Sequence, residues 1–302
     1  MVLEPENLYE VDSDVPDLTG AVLLHHFDGF MDAGSAGAAL VEQLLTAYDN
    51  RVIARFDVDG LLDYRARRPA MTFVQDHWED YQTPELVVRL LHDRVGTPFL
   101  LMTGPEPDFR WETFVQAVRQ LVERWGVRLT IGVHGIPMGI PHTRPLGLTA
   151  HATRPELVAE HQPLFSRVQV PGNVAGLLEL RLGESGHDAI GFAAHVPHYL
   201  VQSTYPAAAL VLLDAVSRAT GLVLPPGGLE ESSRRADAEI ARQVSESAQV
   251  AEVVAALEQQ YDAFTSAKQE DNLLLDPDNI PSADELGAEL ERFLAEQQGK
   301  TD

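Results

Sequence analysis

Short apolar runs punctuate the first two-thirds of the chain, separated by glycine- and proline-bearing loops and by stretches of longer period. "AVLLHHF" (21–27), "RVIARFDV" (51–58), "PFLLMTG" (98–104), "RLTIGVH" (128–134), "LGLTAHA" (146–152) and "DAIGFAAHV" (188–196) read as strands. Between them lie helical segments. Leu40, Val41, Leu44 and Leu45 belong to one. Trp111, Phe114, Val115, Val118, Leu121 and Val122 share a face at a 3.6-residue period in a second. Val174 to Leu182 predicts a third, and "YLVQSTYPAAALVLLDAV" is largely helical. Strand, loop and helix in repetition predict an α/β fold: a mostly parallel sheet with helices on both faces.

Two segments depart from this rhythm. In residues 59–84, "LLDYRARRPAMTFVQ" carries two short extended pieces around Arg67, Arg68 and Pro69, which read as a hairpin inserted into the core, either an oligomer contact or a surface excursion. After "GLVLPPGGL" only helical patterns follow, so the chain divides into a core over 1–228 and a helical extension over 229–302. Val250, Val253, Val254, Leu257, Tyr261 and Phe264 form an apolar stripe, and Ser282 with Glu285 forms a capping box before Leu286, Leu290, Phe293 and Leu294. Such stripes need a surface to bury against. The core is the expected partner, with the helices either a lid over a cleft or a brace.

Polar loops follow the strands, and the carboxyl ends of strands are where α/β proteins place ligands. "GIPMGIPHTRP" (135–145) is stiffened by its prolines and presents His142 and Arg144. "HHFDGFMDAG" offers Asp28 and Asp32, as turn and helix-start residues or as a site. In "TGPEPDFRW", Glu106 lies between two prolines, exposed or else poised to bind a hydroxyl or act as a base, while Asp108 is a natural N-cap. "VPGN" opens a helix that Asn173 would cap, or whose free N–H groups would receive an anion with Arg144 nearby. "HVPHYL" holds His195 and His198. His134 reads as a packed histidine. The scattered histidines and acids make no spaced metal motif, and G-x-G-x-x-G, a P-loop and G-x-S-x-G are all absent, so no metal or cofactor is expected.

Composition narrows the partners. A net charge of −24 repels nucleic acid and anionic membranes, so neither is expected. Residues 221–302 carry half of that charge, with 18 acidic and 6 basic side chains. No apolar run is long enough to span a bilayer. The absence of cysteine and an acidic start without a signal-peptide pattern suggest a cytoplasmic protein.

Taken together, "GFMDAG", "TGPEPDFRWETF", "GIPMGIPHTRP", "AHVPHYL", "LEQQYDAF" and "IPSADELGAELERFLAE" resemble the PAC2 (proteasome assembly chaperone 2-like) family in its actinobacterial branch, over about residues 8 to 298. The resemblance implies a three-layer α/β/α core of phosphorylase/hydrolase-like type, a C-terminal helical extension and a homo-oligomer, a trimer. It implies no reaction. Two functions stay open: a small-molecule binder or enzyme with a cleft at the strand ends, and an assembly chaperone or scaffold acting through protein contacts. Asp28, Asp32, Glu106, His142, Arg144, Asn173, His195 and His198, gathered at strand ends, favour the cleft.

Overall fold

A computed structural model describes residues 4–163 and 167–271. Its strands are β1 (Tyr9–Val11), β2 (Val22–Asp28), β3 (Asn50–Phe56), β4 (Met71–Val74), β5 (His77–Tyr81), β6 (Val87–His92), β7 (Pro98–Pro105), β8 (Leu129–Met138), β9 (Leu148–Ala152) and β10 (Ala189–Pro197). Its helices are α1 (Ala36–Ala47), α2 (Trp111–Trp125), α3 (Val174–Glu184), α4 (Pro206–Thr220), α5 (Leu229–Glu246) and α6 (Ala248–Asp271). Eight strands form one sheet in the order β1-β3-β6-β7-β2-β8-β10-β9, and β4 with β5 forms a separate hairpin.

Alternation along β2 sorts the core into two layers. Val22 and Leu24 face one side and join Leu40 of α1 and Leu212 of α4. Leu23 faces the other side and joins Phe114 and Val118 of α2 and Leu178 of α3. Helices therefore cover both faces of the sheet, as the α/β pattern requires.

The sheet is less parallel than expected. Only β7, β2, β8 and β10 run parallel to one another; β6, β3, β1 and β9 pair antiparallel. At β6 the connections account for this, while β9 is antiparallel to β10 although α3 lies between them in the chain. Parallel neighbours need a crossover of a dozen or so residues. β6 reaches β7 through a tight turn in which the Asp93 carboxylate takes the N–H groups of Val95 and Thr97. β3 reaches β6 through the hairpin insertion, with no helix to carry the chain across the sheet.

α5 lies against α4, and α6 against α5. The predicted stripe of α6 is buried only in part: Val254 is buried, while Val250, Val253 and Phe264 are exposed. The Ser282–Glu285 capping box and the apolar positions after it lie outside the described residues. No helix among the described residues is long and apolar enough to cross a membrane.

Candidate functional site

β2 and β8 pair in parallel from Val22 and Leu129 as far as His25 and Gly132, and then separate. Beyond that point β2 follows β7 to Asp28, while β8 follows β10 to Met138. β7 and β8 lie on opposite sides of β2 although α2 connects them. The separation is thus the topological switch point of the sheet, where α/β folds open a crevice.

A narrow cavity occupies this crevice. It is lined by His25, His26, Phe27, Phe30, Met31, Glu106, Val133, His134, Asn173 and Ala175. Its free volume is about 40 Å³, room for a few waters or one small head group and too little for a whole metabolite. Phe30 and Met31 are exposed and form its apolar rim.

The side chains around it are held by backbone geometry. His25 leans over Gly132, where a Cβ would lie 2.8 Å from its Cε1, and stacks on Phe27 at 5.3 Å. Across the same row of the sheet His151 leans over Gly191 and meets Glu179 of α3 at 2.8 Å. A glycine inside a strand marks such a close approach. His26, on the opposite face, donates from Nδ1 to the carbonyl of Val133 at 3.0 Å, just past the last residue of β8 that pairs with β2. Its Nε2 lies 3.5 Å from Asp28 and 3.7 Å from Asp32. Asp32 accepts from the N–H groups of Gly37, Ala38 and Gly135, which ties the start of α1 to β8.

Glu106 is buried and accepts the first N–H of α3, that of Val174, at 2.7 Å. Asn173 caps the same helix through Gly176 N–H at 2.8 Å. Of the two roles expected for this helix start, capping by Asn173 or receipt of an anion, the structure shows the cap, with Glu106 taking a further N–H. Arg144 is not beside it. Its guanidinium pairs with Asp262 at 2.8 Å and Glu258 at 3.2 Å, both on α6. Asp108 does not cap α2 either. Arg110 occupies that position, and Asp108 instead holds Arg67 and the backbone of Asp63, each at 2.8 Å.

The eight predicted residues thus fall into groups. Glu106 and Asn173 line the cavity, and Asp28 and Asp32 join it through His26. His142 and Arg144 belong to a contact beneath α6: His142 meets the Tyr199 hydroxyl at 2.7 Å, Thr143 meets Glu258, and Tyr261 donates to the Pro145 carbonyl at 3.0 Å. His195 hydrogen-bonds Thr149 of β9 at 2.9 Å. His198 is exposed, its ring set edge-on to Tyr199. Sequence reasoning missed His25 and His26 and read His134 as packing. The usable signals were a histidine pair inside an apolar strand and the mid-strand glycine of "TIGVH".

Burial governs the charges here. Desolvation, then the neighbouring His26 and His134, push His25 down to about 3. Desolvation and His151 push His134 down to about 4. Burial also acts against charge on His26, but Asp28, Asp32 and the Val133 carbonyl outweigh it and hold His26 above the ordinary histidine value. The cavity therefore presents two neutral imidazoles at pH 7. Among the described residues no three His, Asp or Glu side chains gather as a metal-binding group.

Comparison with known proteins places the chain among relatives. It is similar to Rv2714 of Mycobacterium tuberculosis, a protein of unknown function, with 48% identity and a TM-score of 0.85 over 90% of this chain and 95% of that one. A Corynebacterium glutamicum protein of unknown function shares 37% identity with a TM-score of 0.81, over 85% and 97% of the two chains. The Mycobacterium tuberculosis proteasome-assembly chaperone homologue Rv2125 shares 25% identity with a TM-score of 0.71, over 77% and 99%. No match is found among curated proteins. A sequence profile of the PAC2 family matches residues 26–244, and the chain belongs to that family.

Proposed function

We propose that the protein acts through protein–protein contacts as a homotrimeric assembly chaperone or scaffold in the cytoplasm. The β4–β5 hairpin carries this reading. It pairs with no other strand among the described residues, and it holds Met71, Phe73, Trp78 and Tyr81 exposed, Trp78 at 62%. Phe73 and Trp78 stack edge-on at 4.9 Å. A lone two-stranded hairpin is marginal in water, and a contiguous exposed apolar patch marks an interaction surface. The likeness to a proteasome-assembly chaperone homologue supports protein partners in particular. In this reading the hairpin joins the subunits.

Light scattering tests the self-association: wild type runs as a trimer, and Phe73→Ser with Trp78→Ser runs as a monomer with unchanged circular dichroism. A wild-type monomer at micromolar concentration would overturn it. Mixing the protein with purified proteasome subunits tests the partner. Faster appearance of assembled particles on native gels is expected; no change argues against an assembly role.

A second reading, a small-molecule site, is favoured by the cavity at the switch point and its buried histidines. In that reading Asp28, Asp32, Glu106 and Asn173 frame the ligand. α5 and α6 then brace the core, α6 through its contacts with the 142–145 loop. Native mass spectrometry of gently purified protein tests it: a retained metabolite supports it, and a mass equal to the bare chain counts against it.

A further inference from the structure

We propose that the crevice between β2 and β8 binds the ammonium or guanidinium head of a small cationic ligand, whose apolar part rests on Phe30 and Met31. This rests on the small-molecule reading and names the ligand class.

The first argument is hydrogen bonding. His25 is only 4% exposed, its Nδ1 has no partner among the described residues, and it lines the cavity. Phe27 on one side and Gly132 on the other fix its ring. A buried polar atom of this kind calls for a partner. His134 lines the same space and, like His25, is neutral at pH 7. Each neutral imidazole keeps one nitrogen lone pair.

The second argument is charge. An anion would need donors; the N–H groups at the start of α3 are already spent on Glu106 and Asn173, which leaves it one imidazole N–H on each of His25 and His134. Any charge on His26 is compensated by Asp28 and Asp32. What remains is the Glu106 carboxylate, two neutral imidazoles and the rings of Phe27 and Phe30. Carboxylates and aromatic rings attract cations. The net charge of −24 raises the local concentration of cations and lowers that of anions. The third argument is size: about 40 Å³ admits a head group and leaves the tail on the rim.

The test is titration of the full-length protein at neutral pH, followed by NMR, with n-butylamine, n-butylguanidine, n-butanol and butyrate. Saturable binding of the two cations is expected, with shifts centred on His25 and His134 and none from butyrate. Nα-acetyl-lysine methylamide separates the sources: tighter binding than n-butylamine places the head on a peptide side chain, and weaker binding places it on a free amine. Glu106→Gln keeps the acceptor for Val174 N–H and should weaken the cations about tenfold or more, the loss of a charged hydrogen bond. Phe30→Ala removes an exposed ring without disturbing the core and should weaken them about threefold. It keeps the test valid if Glu106→Gln fails to fold. Unchanged cation affinity in a folded Glu106→Gln, or in Phe30→Ala, overturns the proposal. Binding of butyrate or n-butanol without the cations overturns it and leaves the small-molecule reading standing. No saturable binding by any probe overturns the proposal, and the small-molecule reading then falls as well if native mass spectrometry shows the bare chain.

Discussion

His25 and His26 are neighbours in sequence, yet they face opposite sides of β2 and meet opposite electrostatics. His25 faces the α2–α3 layer, where burial and then the neighbouring His26 and His134 keep it neutral, with its pKa pushed down to about 3. His26 points at the start of α1, where Asp28 and Asp32 hold it above the ordinary value. The two therefore act on opposite limbs of a stability–pH curve. Unfolded, each titrates near about 6.5. The folded value of His25 is lower, so its contribution is present above about 6.5 and is lost as pH falls from there towards about 3. The folded value of His26 is higher, so its contribution is full below about 6.5 and is lost as pH rises through the folded value. In urea midpoints measured from acid to alkaline pH, His26→Gln should flatten the alkaline limb and His25→Phe the acid limb. Identical curve shapes in both variants would contradict these assignments. Gly132→Ala should cost about 1–3 kcal/mol, because the new methyl meets the His25 ring. An equally stable variant would mean that the ring moves aside freely. These residues were hard to read from sequence. An imidazole inside an apolar run looks the same whether it packs against a helix or lines a crevice, and only the parting of β2 from β8 distinguishes the two. Glu106 and Asn173 were legible because proline and helix-start patterns mark them locally.

At the level of elements, six strands were legible as apolar runs, and α2 from its 3.6-residue stripe. β6 was not read, although "VVRLLH" is apolar, because no helix separates it from either β3 or β7 and the strand–helix rhythm fails there. The tight turn between β6 and β7 makes that pair antiparallel, whereas β9 is antiparallel to β10 although α3 lies between them in the chain. In sequence the end of β8 reads as part of the proline-stiffened loop 135–145. It pairs as strand because β2 has already left that side of β8, which needs its donors only towards β10. The docking of α6 was expected only as burial of a stripe. The structure fastens it through polar contacts as well, from Arg144 to Asp262 and Glu258 and from Tyr261 to Pro145. These contacts are largely exposed, so removing one should loosen the helix without unfolding the core. Arg144→Ala is therefore expected to speed amide exchange in α6 and leave β2 and β8 protected. Unchanged protection of α6 would show that Val254 and its neighbours hold the helix unaided.

For the whole molecule, the −24 charge and the exposed hairpin pull in opposite directions. If subunits join through Met71, Phe73, Trp78 and Tyr81, association is driven by apolar burial, which salt does not screen. Bringing together subunits of the same strong sign opposes it, and that repulsion is screened with a Debye length of about 10 Å at 0.1 M salt, shrinking to about 3 Å at 1 M. A trimer joined in this way should therefore tighten as salt rises. In sedimentation at a fixed low protein concentration, the trimer fraction should grow between about 20 mM and about 500 mM sodium chloride. Phe73→Ser with Trp78→Ser should remain monomeric throughout, because screening removes a repulsion but supplies no contact. A trimer fraction that falls with salt would mean that ion pairs, such as those available to Arg65 and Arg68 beside the hairpin, hold the subunits together. The apolar account of the hairpin would then be wrong.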